Sequence, residues 1–427
     1  MKLPGGFAAM RQTFALRDYR LYVLGNWSST LGLWVQRIAI GWMTWDMTHS
    51  TTWLGAIAFA EAAPTILFAL IAGTVLDRVN YWKMLRFTQA CSMLYSVTLA
   101  VVTFSGLMNI WLMLTLTIIR GTIVAFNRPS RMTVVYNLVG RDLLPSALGM
   151  NSLIFNSSRF IGPAIGGVIL AAFGSSWTFA FAAVMFFVFT VCLRLIDFVP
   201  PPKEPRAAPC GSMLTETWDG ILYIVRHNGI SQQLMLLVVT SIFAKPLTDL
   251  LPGFAAEVFD KGPHGLAMLL TFHGIGAMIG SLWLASRGGL RGLTSITIGN
   301  ILLMSLALLA FSASNIFWLG CMLTGVCGFA FIVQSVSNQT LIQSAVDPLM
   351  RGRVISVYGM VAQGVPSIGS FMMGAAAESL GLRIPVAVGA AICLGLWAWA
   401  WHLRHPLAAA LEADEAMRGV GKSERVS

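Results

Sequence analysis

Apolar blocks of about twenty residues or more alternate with short polar breaks along the whole chain. A helix rises 1.5 Å per residue, so blocks of that length match a hydrocarbon layer roughly 30 Å thick. The pattern predicts helices over residues 20–46, 53–76, 84–106, 111–135, 145–172 and 177–198, and again over 230–256, 264–286, 293–312, 316–340, 352–378 and 384–403. Pro and Gly interrupt several blocks, which membrane helices tolerate because neighbouring segments satisfy the freed backbone groups. The expected architecture is an all-α membrane protein of twelve transmembrane helices. It divides into an N-terminal segment 1–19, a six-helix bundle 20–198, a linker 199–229, a second six-helix bundle 230–403 and a tail 404–427.

Composition strengthens this reading. Hydrophobic residues make up 56% of 427 positions and charged residues 11%, against roughly 25% charged in a soluble domain. So few charges cannot coat a water-facing surface. The net charge of +10 is distributed as topology: basic residues such as Lys2, Arg17, Arg78, Lys83, Arg141, Lys203, Arg287 and Arg404 sit at one set of block ends, and Lys261 and Arg383 at the other. That bias is expected to place both termini on the cytoplasmic side of the membrane. No basic stripe interleaved with aromatics argues for nucleic acid. The first apolar block is long and starts near Leu21, so it reads as a retained helix. Cys91, Cys192, Cys210, Cys321, Cys327 and Cys393 show no metal-ligand spacing and are expected to pack, with no metal and no cofactor.

Within the linker, Trp218, Ile221, Leu222 and Ile224 mark an amphipathic stretch suited to the membrane surface. In the tail, Glu412, Asp414 and Glu415 read as a solvated end. The two halves show a weak repeat at an offset of 203 residues, which equates Pro145 with Pro348, Gly149 with Gly352, Pro163 with Pro366 and Gly166 with Gly369. Parallel six-helix repeats of this kind characterise the major facilitator fold.

The run Gly73-Thr-Val-Leu-Asp77-Arg78-Val-Asn80-Tyr81-Trp82-Lys83 resembles the signature loop of the major facilitator superfamily, with Asn80 in place of a later Gly and Tyr81 and Trp82 in place of a basic pair. Asn at that position suits a left-handed turn. The stretches Arg17-Asp-Tyr-Arg20-Leu, Trp34-Val-Gln36-Arg37, Leu251-Pro252-Gly-Phe254-Ala, Asn338-Gln-Thr-Leu341-Ile-Gln, Met350-Arg351-Gly352-Arg353-Val354 and Ser356-Val-Tyr358-Gly359 resemble its transmembrane secretion effector branch, which includes enterobactin exporters. The resemblance implies two helical bundles around a central cavity and does not name a cargo. It also implies that Gly73, Asp77 and Arg78 form a cytoplasmic gate. There Asp77 would latch onto the start of the eleventh helix, where Arg351 and Arg353 add charge to a positive dipole end.

Charges inside apolar blocks carry the functional expectation, because each costs about 2.5–3.5 kcal/mol on insertion scales and normally faces a cavity or a partner. Arg37 and Glu61 lie equally far from a turn centred on His49, so a pair across that hairpin is expected, either as a fixed ion pair or as one in which Glu61 takes a proton. Lys245 and Asp249 stand one helical turn apart, with His273 at similar depth on the next helix. They either neutralise each other or handle protons. Arg120 and Arg159, near Asn127, Asn156, Ser157 and Ser158, make the first half electropositive, which would suit an anionic or catechol-like cargo, counter-charges for Glu61, or a structural role.

Other chemistry is absent from the sequence. Gly274-Ile-Gly276-Ala-Met-Ile-Gly280 mimics a nucleotide fingerprint but lies within an apolar block, where close helix packing accounts for it. Gly162-Pro163-Ala-Ile-Gly166-Gly167 reads the same way. Gly421-Lys422-Ser423 has Ala416 where a phosphate loop needs its first Gly, so no ATPase is expected. No HExxH or GxSxG motif supports an enzyme. What remains is a secondary transporter working by alternating access, with protons as the expected coupling ion; efflux as its direction is implied by the family resemblance alone. Uptake of a metabolite, or a transport-inactive scaffold, is the alternative.

Overall fold

The computed structural model describes residues 12–198 and 213–412. Helix α1 spans Arg17–Thr48 and stops where His49 turns left-handed, at φ 47°. Ser50 then accepts from the Trp53 amide and opens α2, Thr51–Arg78. Helix α3, Tyr81–Phe104, is capped by Asn80, whose side chain accepts from the amides of Trp82 and Lys83 at 2.9 and 3.3 Å. Asn80 therefore serves as an N-cap with φ −68°, and not as the left-handed residue expected from its place in the signature loop.

Asn109 opens the next helical segment, Ile110–Leu195, which runs 86 residues. Non-helical glycines at Gly140 (φ 74°, ψ 176°) and Gly174 (φ 81°, ψ 179°) break it into three rods, α4 (110–139), α5 (141–173) and α6 (175–195). The sequence predicted short loops at both places. A single glycine suffices, because it adopts positive φ without a Cβ penalty and lets helix resume at once.

The second half begins with α7, Met213–Arg226, followed by α8, Asn228–Phe243. The expected helix 230–256 is interrupted: α8 ends before Pro246, which lacks an amide donor, and resumes as α9, Leu247–Gly253. After Pro252 the backbone widens into a π-turn, Phe254–Val258. Helices α10 (Gly262–Arg287), α11 (Leu293–Ala313), α12 (Phe317–Ala345), α13 (Arg351–Leu380), α14 (Arg383–His402) and α15 (Arg404–Leu411) complete the order.

Ten described segments are long and apolar enough to cross a membrane, one of them Ser146–Leu195. Gly174 divides that one into two rods, and α1 is 32 residues long although Arg17, Asp18, Arg20, Arg37 and Asp46 lower its apolarity. The arrangement is consistent with twelve spans. Large apolar side chains also point outward, Leu67, Phe87, Leu94 and Phe173 among them, as a lipid-facing surface requires.

Two compact units emerge. The first takes the described residues up to Phe198 together with Asp249–Gly274, and the second takes the rest. Tyr19, Tyr22, Leu85, Val134, Phe189 and Leu193 form one core of the first unit, and Tyr95, Leu99, Met113 and Phe179 form another. Lipid supplies little hydrophobic drive between helices, so small residues at close crossings do the packing. A Cβ on Gly166 would stand 2.9 Å from Ile38 and one on Gly274 2.6 Å from the Phe160 backbone. This is packing, as expected of both glycine runs.

In the second unit, Gln233 on α8 donates to Asn338 on α12, and Asn300 on α11 donates to the Ala330 carbonyl at 2.6 Å. Glu412 corrects an expectation: it is no solvated tail residue but caps α11, its two carboxylate oxygens accepting from the Gly292 and Thr294 amides at 2.6 and 2.7 Å. Asp414 and Glu415 lie outside the described residues, as does Cys210. The five described cysteines are unbridged.

Candidate functional site: a charged cluster in the first unit

Helices α2 and α4 meet where the chain places Gly121, whose missing side chain leaves room for the Glu61 carbonyl and Pro64. The Thr65 hydroxyl seals the crossing by donating to the Gly121 carbonyl at 3.0 Å. That close approach sets Arg120, the neighbour of Gly121, against Glu61: Nη1 lies 3.3 Å from Oε2. Arg120 is 5% exposed, whereas the Glu61 side chain keeps 33% of its accessibility. The carboxylate is thus the reachable member of the pair.

Glu61, expected to pair with Arg37, is its electrostatic neighbour, but the direct bond of Arg37 goes elsewhere. Arg37 Nη2 donates to Asp249 Oδ1 at 3.1 Å, so the carboxylate comes from α9 and not from the facing side of the α1–α2 hairpin. Equal depth along a hairpin sets height and not azimuth, and the sequence pattern could not tell which carboxylate shares the face of Arg37. Asp249 is bonded to Arg37, and Lys245, expected either to neutralise it or to share proton handling with it, sits half-buried in the break between α8 and α9.

Arg159 on α5 lies 3.1 Å, Nη2 to Nε2, from His273 on α10. A guanidinium has only donors, so Nε2 must be the accepting nitrogen and the imidazole is neutral with its proton on Nδ1. His273 is 3% exposed. Trp34 ties the two arginines together: the guanidinium carbons of Arg37 and Arg159 lie 5.7 and 5.8 Å from its ring centroid, within cation–π range. Phe155 meets the same ring edge-on at 5.8 Å. Arg37, Arg159, Asp249 and His273 therefore form one cluster around Trp34. The buried Trp34 Nε1 and Arg159 Nε have no hydrogen-bond partner, two donors in a site that can take an anion.

Arg131, inside the expected helix 111–135, was not among the candidate site residues, yet it is held by three side chains. It lies within α4 and donates to Asn26 at 2.8 Å, Ser29 at 2.9 Å and Gln89 at 3.0 Å, with Phe189 5.0 Å beneath it. The polar positions Asn26, Ser29 and Gln89 in otherwise apolar helices were the available signal.

The side chains of Asp77 and Arg78, expected at a cytoplasmic gate, lie outside the described residues, as does the surrounding of Gly73. Arg351 is exposed at the start of α13. Arg353 is bonded to Asp219 of α7 at 3.1 Å, a partner that the sequence did not suggest.

Comparison with known proteins agrees with this architecture. The family model described as transmembrane secretion effector matches residues 5–421. The staphyloferrin A transporter of Staphylococcus aureus is 27% identical over 82% of this chain and 87% of its own length. The enterobactin exporter EntS of Citrobacter koseri is 25% identical over 83% and 84%. Among solved structures, the nucleoside transporter NupG aligns over 91% of this chain and 99% of its own with a TM-score of 0.67 at 14% identity. A POT family transporter aligns over 91% and 96% with a TM-score of 0.71 at 11% identity, and both likenesses bear on the fold alone. The match across nearly the whole length, on a chain of membrane-spanning helices, identifies this protein as a member of the transmembrane secretion effector family of major facilitator transporters, a multi-pass membrane transporter and not an enzyme.

Proposed function

We propose that the protein exports a small anionic or amphipathic molecule, siderophore-like in chemistry, across the bacterial inner membrane in exchange for protons. The observation that carries this reading is the charge balance of the first unit. Arg37, Arg120, Arg131 and Arg159 are all held within its helices, while Glu61 and Asp249 are the carboxylates that meet them. Retaining uncompensated guanidinium charge inside a membrane protein is costly unless an anion visits it. Arg159, whose bonded partner is a neutral ring, is the group that would meet such a cargo, while Arg37 is balanced by Asp249.

Proton handling falls to Glu61 and His273 in this account. Each stands against a guanidinium: a proton on Glu61 removes the negative charge that faces Arg120, and a proton on His273 Nε2 removes the acceptor that Arg159 meets. The halves 20–198 and 230–403 would alternate access to the cluster, with both termini cytoplasmic and Asp77, Arg78, Arg351 and Arg353 near the inner mouth. Relatives that carry a staphyloferrin or export enterobactin support the cargo class and the outward direction.

The test is transport in inside-out vesicles with radiolabelled enterobactin and staphyloferrin A as probes. Accumulation of either, dependent on an imposed acid-inside pH gradient and abolished in Arg159→Gln, is the expected result. Accumulation indifferent to the gradient would remove proton exchange from the account.

A further inference from the structure

Helix α7 shows two unlike flanks. On one, Trp218, Leu222 and Val225 recur at i, i+4 and i+7 and are exposed, Trp218 by 62% and Val225 by 66%. On the other, Gly220 lies against the Arg353 backbone, where a Cβ would come within 3.1 Å of the carbonyl, and Ile224 is buried. The helix is thus clamped to the start of α13 and turns its apolar stripe away from the protein. It also sits next to the ends of two membrane spans, Asn228–Val258 and Arg351–Leu380, which places that stripe at the membrane–water boundary.

A cavity of about 520 Å³ opens beside the stripe, and Leu222 belongs to both. Charges of both signs line it. Arg353 is neutralised by Asp219 at 3.1 Å. Asp347 accepts from the Tyr223 hydroxyl at 3.3 Å, and that same hydroxyl accepts from the Asp347 amide. Arg226 stands exposed at the rim and His227 lies behind it, its Nδ1 accepting from the Ile230 amide at 3.3 Å.

We propose that this cavity binds the headgroup of a zwitterionic aminophospholipid, a phosphatidylethanolamine. Arg226 takes the phosphate, Asp347 takes the ammonium, and Trp218, Leu222 and Val225 lie along the acyl chains. The charge pattern selects this occupant. An ammonium has three donors for a carboxylate and a phosphate matches a guanidinium, while a purely anionic headgroup would leave Asp347 facing like charge. The bound lipid would brace α7 against α13 at the place where the linker hands over to the second unit.

Native mass spectrometry and thermal unfolding of the purified full chain test the assignment, with added phosphatidylethanolamine, phosphatidylglycerol and phosphatidylcholine of identical acyl chains. Phosphatidylethanolamine should be retained preferentially and should raise the unfolding temperature by several degrees, and the trimethylated choline headgroup, which cannot donate, should not. Arg226→Gln, at an exposed position, should reduce that retention at least fivefold without lowering the lipid-free unfolding temperature, and Asp347→Asn should erase the preference over phosphatidylcholine. Equal retention of all three lipids, or a preference for phosphatidylglycerol that Asp347→Asn leaves intact, would overturn the proposal. The comparison of headgroups on the unaltered protein decides the matter even if the Asp347 variant fails to fold.

Discussion

Arg120 stands 3.3 Å from Glu61 in the first unit, with the guanidinium buried and the carboxylate one-third accessible. Removing the acid leaves a desolvated cation behind, whereas removing both groups leaves neither. Glu61→Gln should therefore cost roughly 2 kcal/mol of stability, below the 3–5 kcal/mol of a fully buried pair because Glu61 keeps access to solvent. Glu61→Gln combined with Arg120→Met should cost clearly less than the sum of the two single changes. Unfolding in lipid nanodiscs reads the cycle, and additive losses would show that the two side chains do not interact.

The Arg37–Asp249 pair obeys different arithmetic. With side chains 48% and 20% accessible it contributes within about 1 kcal/mol to stability. Its value is positional, since it ties α9 to α1. Arg37→Glu should lower the transport rate at least tenfold while moving the unfolding temperature little, and Asp249→Arg in the same protein should recover most of the rate. A swap that restored nothing would mean that Arg37 meets cargo alone.

His273 offers a sharper substitution test, because its contact with Arg159 requires an acceptor. Glutamine can accept and lysine cannot. His273→Gln should fold normally and flatten the pH dependence of transport, while His273→Lys should destabilise the protein by setting two cations about 3 Å apart. Similar stability of both variants would contradict the bond.

Glu412 closes the first turn of α11 through two backbone amides. Its replacement by Ala removes two charge-assisted bonds at a helix N-terminus and should cost about 1–2 kcal/mol. Hydrogen exchange at Gly292 and Thr294 should accelerate selectively. Unchanged exchange there would show that the cap is not formed in solution.

The spans were legible because a twenty-residue apolar block has one physical solution in lipid. Arg37, Glu61, Arg120, Arg159, Asp249 and His273 were legible as residues because charge is scarce there. Their pairing was not. Whether Arg37 meets Glu61 or Asp249 depends on helix rotation and on a chain break at Pro246, neither of which leaves a periodic trace. Gly121 decides the Arg120–Glu61 contact by an absence of atoms, which a hydropathy pattern cannot register. Arg131 escaped notice because its partners Asn26, Ser29 and Gln89 come from distant helices, and Glu412 because a cap joins positions 120 residues apart.

In the proposed cycle, cargo movement and proton movement are linked through this cluster. Proteoliposomes containing the purified protein and a trapped pH-sensitive dye test it directly, with enterobactin or staphyloferrin A added on one side. Proton flux should begin on cargo addition, run opposite to the cargo, and disappear in both Glu61→Gln and Arg159→Gln. Cargo transport at full rate with no accompanying proton flux would contradict it.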